Sequence, residues 1–360
     1  MQALSRRQLT LSAGALLAGA AFARPATARI GPESFAPLVR RVLPAVVNIG
    51  VVESIASPDP LDGFPPEIQR QLRQRQRLRS SRRQVQGAGS GFIIDPAGYI
   101  VTNNHVVGAA DQIVVSLTDG TDLPAKLIGT DELTDIAVIK IDPPHALTAV
   151  PWGDSNAMEV GDWVVAAGNP FGLGGSITAG IVSARGRDIG ASAFDDYLQI
   201  DAPINPGNSG GPVFNADGQV IGVNTAIVSP NGGGSVGIGF AVPSAVASKI
   251  AAELRAKGRI ERGWLGVSVQ DLPAGDPRRA HSTGVLIAGL DRNGPAAHAG
   301  IRPGDLVIAV GGQPVENSRD LIRAIAAITP GGTISLMLRR GGRDTELSVT
   351  VGRRPVNDQG

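Results

Sequence analysis

Three short stretches of this 360-residue chain carry side chains that could attack a carbonyl group. Ile204-Asn205-Pro206-Gly207-Asn208-Ser209-Gly210-Gly211-Pro212-Val213 sets one hydroxyl among glycines, with apolar residues on both sides. A serine nucleophile needs an exposed oxygen and backbone N–H groups turned toward the carbonyl it attacks. Glycines permit that backbone, because they tolerate positive φ and let a substrate come close. Taken alone, the run is also compatible with an ordinary turn. Tyr99-Ile100-Val101-Thr102-Asn103-Asn104-His105-Val106-Val107 puts a histidine just past a strand end. Thr134-Asp135-Ile136-Ala137-Val138 puts a carboxylate at the mouth of an apolar strand. Each alone reads as structural, a satisfied core histidine and an exposed strand-end aspartate. Together, in the order His, Asp, Ser, they make an activated nucleophile.

The roles follow from acid–base chemistry. Ser209 attacks, and a serine hydroxyl is a poor nucleophile until a base removes its proton. His105 is that base, and it returns the proton to the leaving amine. Asp135 holds the imidazole tautomer and stabilises the imidazolium. The oxyanion hole falls on Gly207, Asn208 and Ser209, with the N–H groups of Gly207 and Ser209 as donors and Asn208 in an unusual peptide orientation. One such donor is worth about 10²–10³ in rate.

Such a site needs rigid elements, and the chain supplies closely spaced strands. Residues 46–52 are β-rich and open the core, after a short helix at 35–42. Strands then read at 91–95, 99–102, 113–117, 123–129 and 136–141, with turn signals at Pro96-Ala97-Gly98 and Asp119-Gly120. This is the rhythm of a small antiparallel barrel. A second set, at 163–167, 177–183, 197–200, 213–214, 220–224 and 238–241, predicts a second barrel. Ser244 to Lys257 reads as a helix, with Ser244 as N-cap and Gly258 ending it. A linker near 258–263 leads to a third unit. Its strands read at 264–269, 285–288, 306–310, 333–339 and 345–351, and its helices at 295–299 and 319–328.

Composition narrows the class. Hydrophobic residues are 42%, enough for a sizeable core, and 48 glycines with 26 prolines favour turns and short strands over bundles. With no cysteine, disulfides, thiolate catalysis and cysteine metal sites are excluded. His105, His145, His281 and His298 are scattered and form no His-Glu-x-x-His pattern, which argues against a zinc hydrolase. No metal and no organic cofactor is expected. A net charge of +1 argues against a nucleic-acid partner. The proline- and arginine-rich stretch 57–87 reads as a long insertion loop. A patch for nucleic acid or an anionic membrane is its sharper alternative, the nucleic-acid reading weakened by the absence of aromatics among its arginines.

The N-terminus reads as an address. Arg6-Arg7 precedes a short apolar run, and small residues surround Ala26-Thr27-Ala28. This pattern predicts a twin-arginine export signal over residues 1–28. The run is short for a membrane span, the rival reading. Membrane contact is expected to be peripheral at most.

The three motif stretches resemble the HtrA/Deg family of periplasmic serine proteases. The resemblance spans nearly the whole mature chain. Ala296-x-x-Ala299-Gly300-Ile301-x-x-Gly304-Asp305 resembles a PDZ signature, and Trp264-Leu265-Gly266-Val267 sits where PDZ domains carry their carboxylate-binding loop. The resemblance implies a mainly β protein: a chymotrypsin-like double β-barrel protease domain over 29–257, then an α+β PDZ domain over 263–355. It implies binding of unfolded protein substrates, capture of peptide C-termini by the PDZ domain, and a homotrimer or higher oligomer. In this fold the residues just before the nucleophile line the primary pocket. Pro203 and Ile204, with Ile227 and Ile238 as walls, predict cleavage after small or medium aliphatic residues. Asn208 lacks the charge to pair with a new N-terminus, so activation is expected from ordering of the loop 185–197, with Arg187 as its sensor. A chaperone that holds unfolded chains, and a regulatory protease with one substrate, are the alternative readings.

Overall fold

A computed structural model describes residues 33–56, 82–170, 174–205, 207–227, 234–273, 276 and 283–354. The expected leader, most of the insertion, and Pro206 lie outside the described residues. Contacts divide the chain into a short unit, Met1–Pro37, and the body, Leu38–Gly360. In the first, the Ala36 N–H donates to Ser34 Oγ at 3.1 Å.

Helix α1 (Ala36–Val42) crosses into the body at Leu38, and six strands follow: β1 (Val46–Ala56), β2 (Arg82–Asp95), β3 (Tyr99–Thr102), β4 (Gln112–Ser116), β5 (Asp122–Asp131) and β6 (Ile136–Ile141). They close into a barrel in the order β1-β2-β3-β6-β5-β4. β2 starts at Arg82, inside the stretch read from sequence as loop, and pairs Val51–Ala56 with Arg82–Gly87. Its first residues are polar and do not alternate, so pattern alone could not show them as strand. A four-residue helix, α2 (Asn104–Val107), follows β3.

The second barrel is built from β7 (Trp163–Gly168), β8 (Ser176–Arg187), β9 (Tyr197–Ile200), β10 (Pro212–Phe214), β11 (Val220–Ile227) and β12 (Gly239–Pro243). Its order is β10-β11-β12-β9-β8-β7. Val164, Ala166, Val182, Ile200, Val213 and Ile221 fill its interior. Apolar burial of this kind is the main favourable term in folding, about 1.5–3 kcal/mol for each fully buried large side chain. Helix α3 (Ser244–Lys257) closes the unit and ends on Gly258 in the left-handed region, φ 72. Pro243, not Ser244, is its N-cap. The Ser244 hydroxyl instead donates to Gly153 O at 2.7 Å and accepts the Ser155 N–H at 3.1 Å, tying the helix to the loop before β7.

The third unit has its own core, centred on Val285, Ile287, Val307, Leu321, Leu336 and Val349. Strands β14 (Val267–Asp271), β15 (Val285–Leu290), β16 (Leu306–Val310), β18 (Thr333–Arg340) and β19 (Arg343–Thr350) form a sheet in that order, and β17 (Gln313–Pro314) pairs with β16. β13 (Gly263–Trp264) pairs with β20 (Gly352–Arg353). Helices α4 (Pro295–His298) and α5 (Ser318–Ala326) complete it. The sequence predicts one strand over 264–269. The structure breaks it at Leu265-Gly266, where Gly266 has φ 72.

Among the described residues, no helix is long and apolar enough to cross a membrane.

Candidate active site

Strand register brings the histidine to the aspartate. β3 and β6 run antiparallel with Thr102 opposite Ala137, so the residues after β3 meet those before β6. His105 lies in α2, and its Nδ1 stands 2.7 Å from Asp135 Oδ2. The His105 backbone N–H also donates to Asp135 Oδ1 at 2.9 Å. Asp135 has φ 55 and is the one non-glycine residue with positive φ among the described residues. That conformation costs about 1–3 kcal/mol and persists only where neighbours enforce it. Here the Asp135 carbonyl accepts the Asn104 N–H at 3.1 Å and Asn103 Nδ2 at 2.8 Å. Asn103 is fully buried, and its Nδ2 also donates to Thr225 Oγ1 on β11 at 3.0 Å. The second barrel thus braces the aspartate of the first.

Ser209 sits between β9 and β10, half-buried, and its carbonyl accepts the Ser90 N–H from β2 at 2.8 Å. Its Oγ makes no hydrogen bond among the described residues. Such bonds commonly form only with substrate in place. Glycine is required beside it. Gly207 has φ 97, and a Cβ there would lie 2.6 Å from Pro170 Cβ. Gly210 has φ 84, and a Cβ there would overlap Ser90 O and Thr102 Oγ1. The Asn208 N–H is engaged by Asn205 O at 3.0 Å. The N–H groups of Gly207 and Ser209 donate to no acceptor among the described residues. Of the three positions read as the oxyanion hole, these two carry N–H groups without an acceptor among the described residues.

Residues 89–223 match the trypsin-like peptidase domain, and residues 263–351 match the PDZ domain. A probable periplasmic serine endoprotease DegP-like of Brucella suis is 52% identical over 276 residues, covering 76% of this chain and 53% of that protein. Its counterpart of the same name in Pseudomonas fulva is 40% identical, covering 99% of this chain and 78% of that protein. The solved HtrA-type protease AlgW with decapeptide superposes with a TM-score of 0.75 at 38% identity, covering 90% of this chain and 99% of that one. The chain belongs to the HtrA family of DegP-like serine endoproteases. It spans about half the length of the Brucella relatives it matches.

Two of the four expected pocket residues in this HtrA-family chain share one cluster. Ile204 is buried in the second-barrel core, and Ile227 packs against that same cluster. Ile238 is half-buried, and Pro203 is exposed with its carbonyl accepting Thr178 Oγ1 at 2.9 Å. Tyr197, on β9, is pushed up to about 12 by burial first and then by the charges of Asp195 and Asp135. Burial thus favours its neutral phenol form.

The PDZ loop joins β13 to β14. Leu265 is buried, its carbonyl accepts the Ala296 N–H at 2.9 Å, and the Gly266 carbonyl accepts the Asp291 N–H at 2.8 Å. The N–H groups of Leu265 and Gly266 donate to nothing among the described residues. β14, which starts at Val267, lies at the end of its sheet. Beside it runs a groove of about 250 Å³ lined by Trp264, Val269, Leu321, Ile325 and, from the protease unit, Leu133.

The two units are tied through the segment before Asp135. Arg262 forms a two-pronged ion pair with Asp131, with Nη2 2.7 Å from Oδ2, and its guanidinium lies 4.8 Å from the Phe194 ring centre. Arg323 on α5 donates to Ala193 O and Asp195 O, both at 2.6 Å, and Arg319 pairs with Asp188. Ser192 Oγ donates to Leu133 O at 2.6 Å. Arg187 behaves differently. It is exposed, and its Nε donates to Gln199 Oε1 at 2.8 Å within the protease unit. Sequence reading gave no role to Ser90, Asn103, Thr225 or Arg262; Asn103 lies inside the quoted histidine stretch, but its contact with Thr225 is long-range.

Proposed function

We propose that this chain is a periplasmic, ATP-independent serine endopeptidase of unfolded or misfolded proteins, with His105, Asp135 and Ser209 as its triad. The observation that carries the reading is the double contact of Asp135 with His105, set beside a serine flanked by two N–H groups without acceptors. Ser209 Oγ forms a bond to the scissile carbonyl carbon as its proton passes to His105 Nε2. The carbonyl electron pair moves to oxygen, held by the N–H groups of Gly207 and Ser209. Collapse breaks the C–N bond, and the amine leaves with the proton from His105. Water repeats the sequence on the acyl-enzyme and frees Ser209.

Aliphatic Ile204, Ile227 and Ile238, with no carboxylate among them, support cleavage after Val, Ala or Ile. The edge of β14 and the N–H groups of Leu265 and Gly266 support strand addition by a peptide whose terminal carboxylate they cradle. Family membership supports a homotrimer or larger assembly. The names of the relatives support a periplasmic location, reached through the twin-arginine signal read at residues 1–28.

Casein cleavage by the mature protein and by Ser209→Ala, with cut sites mapped by mass spectrometry, tests this. Loss of cleavage in the variant, with wild-type cuts after aliphatic residues, is the expected result. Equal cleavage by both would overturn the nucleophile, and cuts mainly after Lys or Arg would overturn the pocket. A wild type that suppresses aggregation while leaving substrate whole would move the function to the holdase reading.

A further inference from the structure

Ser90 lies on β2 in the first barrel, fully buried, and grips the nucleophile loop at two points. Its N–H donates to Ser209 O at 2.8 Å, and its O–H donates to Gly207 O at 2.6 Å. Ser90 Oγ in turn accepts the Asn169 N–H at 2.7 Å. Asn48, opposite Ser90 on β1, donates from Nδ2 to Asn169 O at 2.8 Å. Thr102 Oγ1 fixes the Ser90 carbonyl at 2.7 Å. Every polar atom of Ser90 therefore has a partner, and all of those partners are backbone groups or the Thr102 hydroxyl.

The peptide between Gly207 and Asn208 is pinned at both ends. Its C=O takes the Ser90 hydroxyl, and its N–H is held by Asn205 O at 3.0 Å. That plane adjoins the one carrying the Gly207 N–H, and Gly207 between them has φ 97, so holding the first restrains the second. The next peptide, which carries the Ser209 N–H, lies between the two carbonyls that Ser90 holds. Glycines allow the approach: a Cβ on Gly89 would lie 2.7 Å from a Val106 methyl and 3.3 Å from Ser209 O.

We propose that Ser90 is a positioning residue for the oxyanion hole, its hydroxyl aligning the N–H groups of Gly207 and Ser209 on the developing negative charge. This rests on the reading of Ser209 as nucleophile. Donors aimed in advance stabilise the transition state more than the bound substrate. Losing the hydroxyl therefore lowers kcat and leaves substrate binding in place. It also leaves Gly207 O and the Asn169 N–H without their partner in a dry site.

Ser90→Ala keeps the N–H contact and removes only the hydroxyl. In the mature protein, kcat on an internally quenched peptide should fall about 10–100-fold, short of or near the loss of one whole donor. KM should stay within about threefold. A peptide boronic acid ending in valine, whose tetrahedral adduct places an anionic oxygen in the hole, should lose affinity in step with kcat/KM. The matching peptide carboxylate, a product mimic, should not. A kcat within about twofold of wild type would sink the proposal. So would equal losses for boronate and carboxylate, the mark of a merely structural role. If near-UV circular dichroism shows Ser90→Ala unfolded, Ser90→Cys, with the same shape and a weak donor, carries the same expectations. Ser209→Ala runs alongside. Residual hydrolysis there overturns the nucleophile itself, whereas an inactive Ser209→Ala with a fully active Ser90→Ala removes only the role of Ser90.

Discussion

Both carboxylate oxygens of Asp135 are engaged by one residue, His105: Oδ1 accepts its backbone N–H at 2.9 Å, and Oδ2 faces Nδ1 at 2.7 Å. The first contact anchors the start of α2. On the proposed mechanism the second holds the proton on Nδ1 and leaves the Nε2 lone pair for Ser209. A carboxylate can do both because it is acceptor-only at two oxygens.

Asp135→Asn separates these roles. The amide oxygen can still accept one bond, so the fold should hold, with a melting temperature within a few degrees of wild type. The amide nitrogen opposite Nδ1 favours the wrong tautomer, and kcat should drop by about 10⁴-fold. Steady-state kinetics on a quenched peptide checks this. A variant with near wild-type kcat would show that Asp135 does not set the tautomer.

Gly210→Ala should fail for steric reasons. The residue has φ 84, and its Cβ would overlap Ser90 O and Thr102 Oγ1. One of those atoms is backbone and the other a buried hydroxyl held to that backbone, so neither yields cheaply. Strain at such a position costs about 1–3 kcal/mol before the overlap is counted. Thermal melting should show a clear loss of stability, and hydrolysis should fall with it. A fully stable variant would mean that the loop has another conformation of similar energy.

Much of this architecture was legible because its signals are local. Val101 and Ile136–Ile139 announce strands, and the run around Ser209 announces a strained turn, each within a few residues. The order His105, Asp135, Ser209 links them. What sequence could not show is what joins distant segments. Ser90 meets Gly207 across 117 positions, and Asn103 meets Thr225 across 122. Neither Ser90 nor Asn103 differs in residue type from the other serines and asparagines of the chain. Arg187 reads from sequence as the sensor of its loop, and in the structure Arg319 and Arg323 reach that same loop from the PDZ unit. Charge alone does not tell which arginine is near what.

Arg262→Met should expose a buried charge rather than a surface one. Asp131 is 6% exposed and keeps only the Thr134 hydroxyl once the guanidinium is gone. Breaking a buried pair from one side costs about 3–5 kcal/mol. Adding Asp131→Asn removes the stranded charge and should recover much of that loss. A double-mutant cycle by chemical denaturation measures the coupling. Additive single losses would show that the two side chains do not act as a pair.

Acid should loosen the PDZ unit through Asp305. Its carboxylate is buried and clasped by Arg340, Nε to Oδ1 and Nη2 to Oδ2 both at 2.7 Å, with the Arg302 N–H at 2.8 Å. Burial alone would push its pKa up, but the Arg340 hydrogen bonds, the Arg302 N–H and the Arg340 charge outweigh it and hold the pKa below the usual value. A depressed folded pKa means that the unfolded chain binds the proton more readily, so stability rises with pH between the two values. The contribution is therefore complete above the unfolded value of about 4 and is lost as pH falls through the folded one. Hydrogen exchange of peptides covering β16 and β18 in the whole chain, taken from pH 6 down to pH 3 and corrected for intrinsic rates, should show protection collapsing at the acid end. Asp305→Asn should start less protected at pH 6 and lose less on acidification. Parallel curves for the two proteins would remove Asp305 as the acid-sensitive clasp.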